Sequence, residues 1–188
     1  LFSASVIAET MPAAWSKDPE TAQQYLKPLP VMLRGALAEL RTLLLDLRPD
    51  ALQDQSLGQV LNLLVEAARA RTQASVALTV ESDHQLPDDV TLALFRITQE
   101  SLNNIVKHAE ADHIALYLRS TAGKLELQIT DDGIGYDPDA ISPGKLGLAI
   151  MQDRAQEIGA RLTIESEKGK GTTIVVNWRD RLNPIMEK

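Results

Sequence analysis

Two kinds of periodicity alternate between residues 56 and 180, and they limit the possible folds more than any other feature of the chain. Apolar residues three and four apart predict helices at residues 56–71, with Ser56 as the candidate N-cap, and at 87–106 and 146–158. Alternating apolar and polar residues predict strands at residues 75–81 and 111–120, in KLELQITDDG, and on both sides of the turn in RLTIESEKGKGTTIVVNW. Hairpin signals with interspersed helices predict an α+β fold, with a sheet covered on one face by helices.

The first 48 residues carry helical periodicity and almost no strand signal. The first predicted helix ends near Met11-Pro12. A second begins with Asp18 as its N-cap and Pro19 in its first turn, where a proline sacrifices no helical hydrogen bond. Leucines three and four apart then continue to Leu47 and form one apolar stripe.

Two prolines, Pro28 and Pro30, fall within this stripe. Each removes a helical hydrogen bond, so we expect them to kink or interrupt the helix, and Arg48-Pro49 is expected to end it. The resulting helical hairpin is too small to bury its own stripe. We expect a second copy of the chain to cover it in a four-helix bundle; the alternative is packing against the chain's own C-terminal part.

Composition excludes several kinds of site. The 188 residues include no cysteine, which excludes disulfides, thiolate zinc sites and cysteine nucleophiles. The net charge of −7 argues against non-specific binding to nucleic acid or to an anionic membrane, because both favour basic surfaces. The histidines, His84, His108 and His113, lack metal-ligand spacing, and no apolar run approaches the roughly 20 residues that span a bilayer.

A carboxylate and an amide share one face of the helix predicted over residues 87–106. Glu100 and Asn104 are four residues apart, and together they offer the oxygen ligands that Mg²⁺ prefers. Lys107 lies three residues further, on nearly the same side, where it can meet a phosphate group. The alternative is that these side chains form only the solvated face of a helix.

The segment ITDDGIGYD, residues 129–137, adds a second polar cluster. An apolar strand leads directly into Asp131, whose carboxylate can accept a hydrogen bond from an exocyclic amine. Gly133 and Gly135 permit tight turning and close approach of the backbone to a ligand. Asp-Gly turns also occur in ordinary hairpins, so this motif does not establish a site by itself.

Two glycine-containing segments follow. Gly144 and Gly147 flank Lys145 and Leu146 just before a predicted helix, whose free N–H groups form a natural phosphate site. Neither a P-loop nor a Rossmann fingerprint matches these residues. The turn Gly169-Lys170-Gly171-Thr172 precedes the last strand, and its hydroxyl can bind phosphate; the alternative is a plain glycine hairpin turn.

Four motifs therefore occur in a fixed order: E-x-x-x-N, D-x-G-x-G, G-x-x-G-L-A-I and G-x-G-T. In this order they resemble the GHKL (Bergerat) ATP-binding fold shared by sensor histidine kinases, type II topoisomerases, Hsp90-type chaperones and mismatch-repair ATPases. QESLNNIVKHA, DDGIG and GKLGLAIMQDRA are similar to the N, G1 and G2 boxes of the histidine kinases that phosphorylate LuxR-type response regulators. ALAELRTLLLDLRPDAL is similar to their second dimerisation helix. The implied fold is an α/β sandwich with a mixed, mostly antiparallel sheet covered on one face by helices, preceded by a helical hairpin.

The resemblance implies a role for each matching residue. Glu100 takes the position of an acid that orients a water or acts as general base, and Asn104 coordinates Mg²⁺ bound to the phosphates of ATP. Asp131 binds the adenine amino group. The other residues implied to contact the nucleotide are Lys107, His108, Gly133 and Gly135, the lid residues Gly144, Lys145, Leu146 and Gly147, Leu148 beneath the lid, and Thr172.

The implied activity is that of a protein-histidine kinase, which transfers the γ-phosphoryl group of ATP to a histidine and then to the receiver domain of a response regulator. The family's acceptor histidine precedes the stretch that LFSASVIAET resembles, so we expect the chain to be a piece that begins after it. The implied organisation is a partial dimerisation hairpin at residues 1–50, a catalytic ATP-binding domain at 51–182 and a tail at 183–188. A homodimer, a cytoplasmic location in a parent protein that can be membrane-anchored, and no direct contact with nucleic acid are also implied.

Two other classes of function remain open at this point. A non-kinase ATPase of the same fold would use Glu100 to activate water, but the chain lacks the transducer domain that such ATPases need. The third class is an anti-sigma-type serine kinase or a degenerate binding module. The N-terminal hairpin argues against the serine kinase, and the intact Asn104, Asp131 and Gly133 argue against degeneration.

Overall fold

The computed structural model describes residues 2–47, 55–137 and 146–180. Its helices are α1 (Phe2–Lys17), α2 (Pro19–Leu26), α3 (Leu29–Leu47), α4 (Leu57–Arg69), α5 (Asp88–His108) and α6 (Leu146–Glu157). Its strands are β1 (Ser75–Ser82), β2 (His113–Thr121), β3 (Lys124–Asp131), β4 (Arg161–Glu167) and β5 (Gly171–Arg179). Each helix and strand predicted after residue 55 is present, with ends that shift by a residue or two, as helix and strand ends commonly do.

The five strands form one sheet in the order β1-β2-β3-β5-β4. β1 and β2 are parallel, and α5 supplies the crossover that a parallel pair requires. The other three pairs are antiparallel. The sheet is therefore mixed and mostly antiparallel, as the sequence implies, and the central strand β3 ends at Asp131.

The hydrophobic core lies on one face of the sheet. Every second residue of β2 and β3 is buried there, namely Ile114, Leu116, Leu118, Leu125, Leu127 and Ile129. They belong to the same core cluster as Leu61 of α4, Leu94 of α5 and Met151 of α6. Intervening residues such as Arg119 and Glu126 are exposed on the opposite face. The prediction that helices cover one face is confirmed.

Two helices begin at side-chain caps that the sequence predicts. Asp18 accepts hydrogen bonds from the backbone N–H groups of Glu20 and Thr21 at the start of α2, at 3.1 and 3.2 Å. At the start of α4, the hydroxyl of Ser56 accepts from the N–H of Gln59, and the Gln59 side chain accepts from the N–H of Ser56. This reciprocal capping box satisfies two N–H groups that would otherwise lack partners.

The prediction that the first helix ends near Met11-Pro12 is wrong, because α1 continues to Lys17 with Pro12 inside it. An internal proline removes one N–H donor and crowds a carbonyl, at a cost of about 3 kcal/mol or more. The helix continues through Pro12 in spite of this local cost.

The prediction that Pro28 and Pro30 interrupt the helix is confirmed, since α2 ends at Leu26 and α3 starts at Leu29. Pro30 lies in the first turn of α3, where a missing N–H breaks no helical hydrogen bond. Arg48-Pro49, predicted to end this helix, lies outside the described residues.

Helix α3 has two faces with different surroundings. Gly35, Ala38 and Thr42 are buried on the side that packs against α4. A Cβ atom at Gly35 would lie only 1.9 Å from the Cβ of Ala70, so a side chain larger than glycine does not fit there. The stripe leucines Leu33, Leu37, Leu40 and Leu44 are 43–59% exposed. The chain's own C-terminal part thus covers the small residues of α3 and leaves its leucine stripe open.

Candidate functional site

A cavity of about 550 Å³ opens between α5, α6 and the ends of β3 and β5. Its lining residues are Ser101, Asn104, Ile105, His108, Ala109, Ile129, Asp131, Ile134, Gly135, Tyr136, Gly147, Leu148, Met151, Thr172 and Ile174. Most of this wall is apolar, with a small number of polar groups that converge on it. That combination is typical of sites for small organic ligands, in which apolar contacts give affinity and polar groups fix orientation.

The carboxylate of Asp131 is the most buried charged group in this wall, with 3% of the residue exposed. Its Oδ1 accepts a hydrogen bond from the backbone N–H of Gly133 at 2.9 Å. Burial is the main cause that raises the pKa of Asp131, and hydrogen bonds from the backbone N–H groups of Gly133 and Thr172 partly oppose it. Asp131 is therefore a fixed hydrogen-bond acceptor at the inner end of the cavity.

The loop after Asp131 is held in place by backbone contacts on both sides. The N–H of Ile134 donates to the carbonyl of Ala109 at 2.7 Å, and the N–H of Gly169 donates to the carbonyl of Ile134 at 2.7 Å. A Cβ atom at Gly133 would lie 2.1 Å from that same Ala109 oxygen. The loop thus lies directly on the end of α5, which brings the D-x-G-x-G motif beside the helix that carries the E-x-x-x-N motif.

A second aspartate, Asp132, ties this loop to the start of β2. Its Oδ1 accepts from the backbone N–H groups of Asp112 and His113 at 2.9 and 2.8 Å. Its Oδ2 accepts from the ring Nδ1 of His113 at 2.7 Å. These bonds lower the pKa of Asp132, with the backbone N–H of His113 as the largest cause.

Replacing Asp132 with asparagine is expected to destabilise the protein near neutral pH and to have little effect in strong acid. A carboxylate with a lowered pKa stabilises the fold above its unfolded pKa of 3.8, and this contribution disappears as the pH falls through the folded pKa below 3.8. Urea unfolding across this range should show the curves of wild type and Asp132→Asn converging below pH 3.8. The control is Asp153→Asn, an exposed aspartate of α6; a constant difference between wild type and Asp132→Asn at every pH would contradict the assignment.

The start of α6 lies against the E-x-x-x-N motif of α5, which contains Glu100 and Asn104. A Cβ atom at Gly147 would lie 2.1 Å from Oε1 of Glu100 and 3.5 Å from Nδ2 of Asn104. Glycine at this position therefore lets the backbone of α6 approach both side chains. The N–H groups of the first turn of α6 are not used within the helix, and they face a region that a carboxylate and an amide also reach.

Seven of the predicted nucleotide contacts line the cavity: Asn104, His108, Asp131, Gly135, Gly147, Leu148 and Thr172. Three lie outside this lining. Gly133 is buried beneath the loop against Ala109, Glu100 lies one turn before Asn104, and Lys107 is exposed in the last turn of α5. Leu146 is the first residue of α6, whereas Gly144 and Lys145 lie outside the described residues.

Sequence reasoning missed most of the apolar wall. Ile129 and Ile174 each lie two residues from a predicted contact on the same strand face, so strand alternation from Asp131 and Thr172 would have found them. Ser101, Ile105 and Met151 follow from helical spacing in the same way.

Tyr136 had no such signal, although it lines the cavity. Burial raises the pKa of Tyr136, and the nearby carboxylate of Asp131 raises it further. The backbone N–H of Tyr136 donates to the Ser166 hydroxyl at 2.9 Å. Tyr136 therefore joins the loop after Asp131 to β4.

Within the described residues, no group of three or more His, Cys, Asp or Glu side chains is placed to hold a metal ion. The same part of the chain contains no helix with the length and hydropathy needed to cross a membrane.

Comparisons with known proteins agree with this geometry. Residues 89–182 match the family described as histidine kinase-, DNA gyrase B- and HSP90-like ATPase, and residues 1–52 match a family described as histidine kinase. The signal transduction histidine-protein kinase/phosphatase DegS of Brevibacillus brevis is 32% identical over 86% of this chain and 42% of its own length. Sensor protein VraS of Staphylococcus saprophyticus is 34% identical over 94% of this chain and 50% of its own length. The chain thus spans at most about half the length of these curated relatives.

Solved structures share the fold. The blue-light activated histidine kinase of Erythrobacter litoralis EL346 has a TM-score of 0.58 and 25% identity over 66% of this chain and 42% of that chain. Acinetobacter baumannii histidine kinase AdeS has a TM-score of 0.57 and 14% identity over 95% of both chains, a likeness of fold alone. The chain therefore belongs to the histidine kinases, and its residues 89–182 form the ATPase-family domain that they share with DNA gyrase B and HSP90.

Proposed function

We propose that this chain is the ATP-binding catalytic part of a two-component sensor histidine kinase, with Asp131, Asn104 and Thr172 among its nucleotide contacts. It transfers the γ-phosphoryl group of ATP to a histidine, from which the group passes to the receiver domain of a response regulator, as the resemblance to kinases with LuxR-type partners suggests. The observation that carries the proposal is the convergence of three separate sequence motifs on one cavity of about 550 Å³, with a buried carboxylate at its inner end.

Adenine fits the apolar inner part of this cavity. Ile129, Ile174 and Met151 offer apolar surface to the faces of the ring, and the carboxylate of Asp131 accepts a hydrogen bond from the exocyclic amine. Guanine presents a carbonyl oxygen at the corresponding ring position, and two acceptors repel each other. Asp131 therefore favours adenine over guanine.

The phosphates would extend toward the start of α6. Its unpaired N–H groups and the positive end of its dipole favour anions, and Gly147 lets the backbone approach closely. Lys107 and His108 from α5, with Gly144, Lys145 and Leu146 ahead of α6, complete the proposed phosphate contacts. Gly133 and Gly135 shape the backbone beside the base.

Mg²⁺ is the metal that fits this arrangement. Asn104 supplies an amide oxygen as the ligand, whereas the described residues offer no group of three acidic or imidazole ligands. Mg²⁺ at phosphate sites is commonly held by one or two side chains together with the phosphates and water, so one side-chain ligand suffices. When bound, the ion neutralises charge on the transferring phosphoryl group.

Glu100 is the proposed base of the reaction. A ring nitrogen of the acceptor histidine attacks the γ-phosphorus, the bond from that phosphorus to the bridging β–γ oxygen breaks, and ADP leaves. The resulting N–P bond leaves an imidazole whose other nitrogen carries a proton that Glu100 can take up or orient. Contact with Gly147 holds the Glu100 carboxylate beside the phosphate end of the cavity.

The acceptor is a histidine other than the three in this chain. His84 bonds through Nδ1 to the carbonyl of Ser120 at 2.8 Å, His113 bonds to Asp132, and His108 lines the nucleotide cavity itself. We assign residues 1–50 to a dimerisation hairpin, 51–182 to the catalytic domain and 183–188 to a tail. The open leucine stripe of α3 supports a homodimer, and the cytoplasm, where ATP is available, is the proposed location of this part of the protein.

The test is phosphoryl transfer from γ-labelled ATP to a purified acceptor hairpin that carries the histidine. The full chain should label that hairpin with an acid-labile, base-stable phosphoryl group, and a hairpin with alanine at the acceptor position should stay unlabelled. Glu100→Gln should still bind ATP but transfer slowly. Rapid release of inorganic phosphate without labelling of the hairpin would instead indicate a non-kinase ATPase of the same fold, and labelling of the chain itself would refute the acceptor assignment.

A further inference from the structure

A second concave surface lies at the other end of the sheet, on the side away from the nucleotide cavity. It is a groove of about 830 Å³ that we call the basic groove, and its cationic side chains are Arg119, Lys124, Arg161 and Arg179. Lys124 and Asp131 are the two ends of β3, roughly 23 Å apart at about 3.3 Å per residue. A molecule bound in the basic groove would therefore leave the nucleotide cavity free.

The sheet register brings these cations together. Lys124 and Arg179 are direct cross-strand partners, and Arg161 pairs with Asn177, which places it diagonally beside Arg179. Like charges directly opposite each other in a sheet are destabilising. The fold thus concentrates positive charge at one point of a chain whose net charge is −7.

Carboxylates of the sheet lie beside Arg119. Glu126 faces Arg119 across the β2–β3 pair, and Glu81 also lies 3.6 Å from Arg119. In the part of the chain that the structure describes, no carboxylate forms an ion pair with Arg161 or Arg179. The two guanidinium groups are therefore available to carboxylates from outside the chain.

We propose that the basic groove is a docking surface for an acidic segment of a partner protein. Guanidinium groups bind carboxylates through paired N–H donors, and the neutral Thr163 and Asn177 beside Arg161 suit the amide groups of a peptide. Complementary charge of this kind mainly speeds association and fixes the register of the partner.

Nucleic acid fits the groove less well. Trp178 in its wall is 6% exposed and donates its ring N–H to the carbonyl of Ile158, so its face is not open for stacking with a base. A long polyanion would extend past the four cations. There it would meet Glu126 and the negative surface of a chain whose net charge is −7. A short acidic segment meets the cations without meeting the rest of that negative surface.

The experiment measures binding of a fluorescent oligoglutamate peptide to the full chain by anisotropy at low and at high salt. We expect salt-sensitive binding that Arg161→Glu/Arg179→Glu weakens at least about tenfold. The matched control is Lys17→Glu/Lys27→Glu, which makes the same change in net charge at exposed positions at the ends of α1 and α2 and should bind as wild type does. Circular dichroism and ATP affinity, which should not change, verify that both variants are folded.

Three outcomes would overturn the proposal. One is the absence of peptide binding at low salt, and another is an equal loss in the groove variant and the control. The third is occupation of the groove by something other than an acidic peptide, either a nucleic acid or a second copy of this chain. An oligothymidylate that binds more tightly and displaces the peptide would make the groove a nucleic-acid site. Salt-sensitive self-association in sedimentation, lost in the groove variant alone, would make the occupant a second copy of this chain.

Discussion

Asp131→Asn is expected to weaken ATP binding by about 10- to 100-fold, because it removes a charge-assisted hydrogen bond of about 1.5–3 kcal/mol to the base. The asparagine oxygen can still accept from the N–H of Gly133, so the loop keeps its anchor. Titration calorimetry with ATP measures the loss. Asp153→Asn, the same change at an exposed position of α6, should bind ATP as wild type does.

The same variant should also lose its preference between bases. An asparagine can present its amide N–H to the carbonyl of guanine, whereas the aspartate carboxylate can only accept. The ratio of the ATP and GTP dissociation constants should therefore move toward one in Asp131→Asn. An unchanged ratio and an unchanged ATP affinity would together refute the role given to this carboxylate.

Gly171→Ala is expected to cost about 3 kcal/mol or more of unfolding free energy, a loss of the size that follows when backbone is forced apart. Gly171 has a φ of 80°, and a Cβ atom there would lie 2.0 Å from the carbonyl oxygen of Asp131. β3 and β5 would have to separate where their register pairs Asp131 with Thr172. Because that carbonyl belongs to Asp131, the residue proposed to bind the base, nucleotide affinity should fall together with stability.

Gly169→Ala is the matched control for this effect. Gly169 has nearly the same φ, 78°, but a Cβ atom there would have no neighbour within 4 Å. The alanine should therefore cost only the left-handed backbone strain of about 1–2 kcal/mol. Urea unfolding of the two variants separates the cost of backbone strain from the cost of the steric clash. Equal losses of unfolding free energy would show that no clash occurs at Gly171.

The sequence predicted the sheet domain well because its signals are local. Alternation in β2 and β3, the cap at Ser56 and the Gly-Lys-Gly turn each act within a few residues, and each reappears in the structure. Pro12 is the instructive failure, since its local cost predicts a helix end, yet α1 continues through it to Lys17.

In the candidate site, too, local motifs predicted some residues, and contacts between distant parts of the chain could not be predicted. Asp131, Asn104 and Thr172 could be named from motifs, and they meet at one cavity. The contact between Gly147 and Glu100 joins residues 47 positions apart, and no local pattern predicts it. Tyr136 likewise depends on a hydrogen bond to Ser166, thirty residues later in the chain. Such pairs can be recognised only when the order of the strands and the packing of the helices on the sheet are known.

Helix α3 meets α4 at Gly35, where backbone rests against the methyl group of Ala70 with no side chain between them. Protein interiors have low compressibility. Where backbone packs directly on a methyl group, no flexible side chain is available to adjust to a displacement of α3. A displacement of α3 toward α4 would therefore have to be taken up by the backbone that leads from α4 into β1. The glycine thus sets how closely the helical hairpin and the sheet domain approach each other.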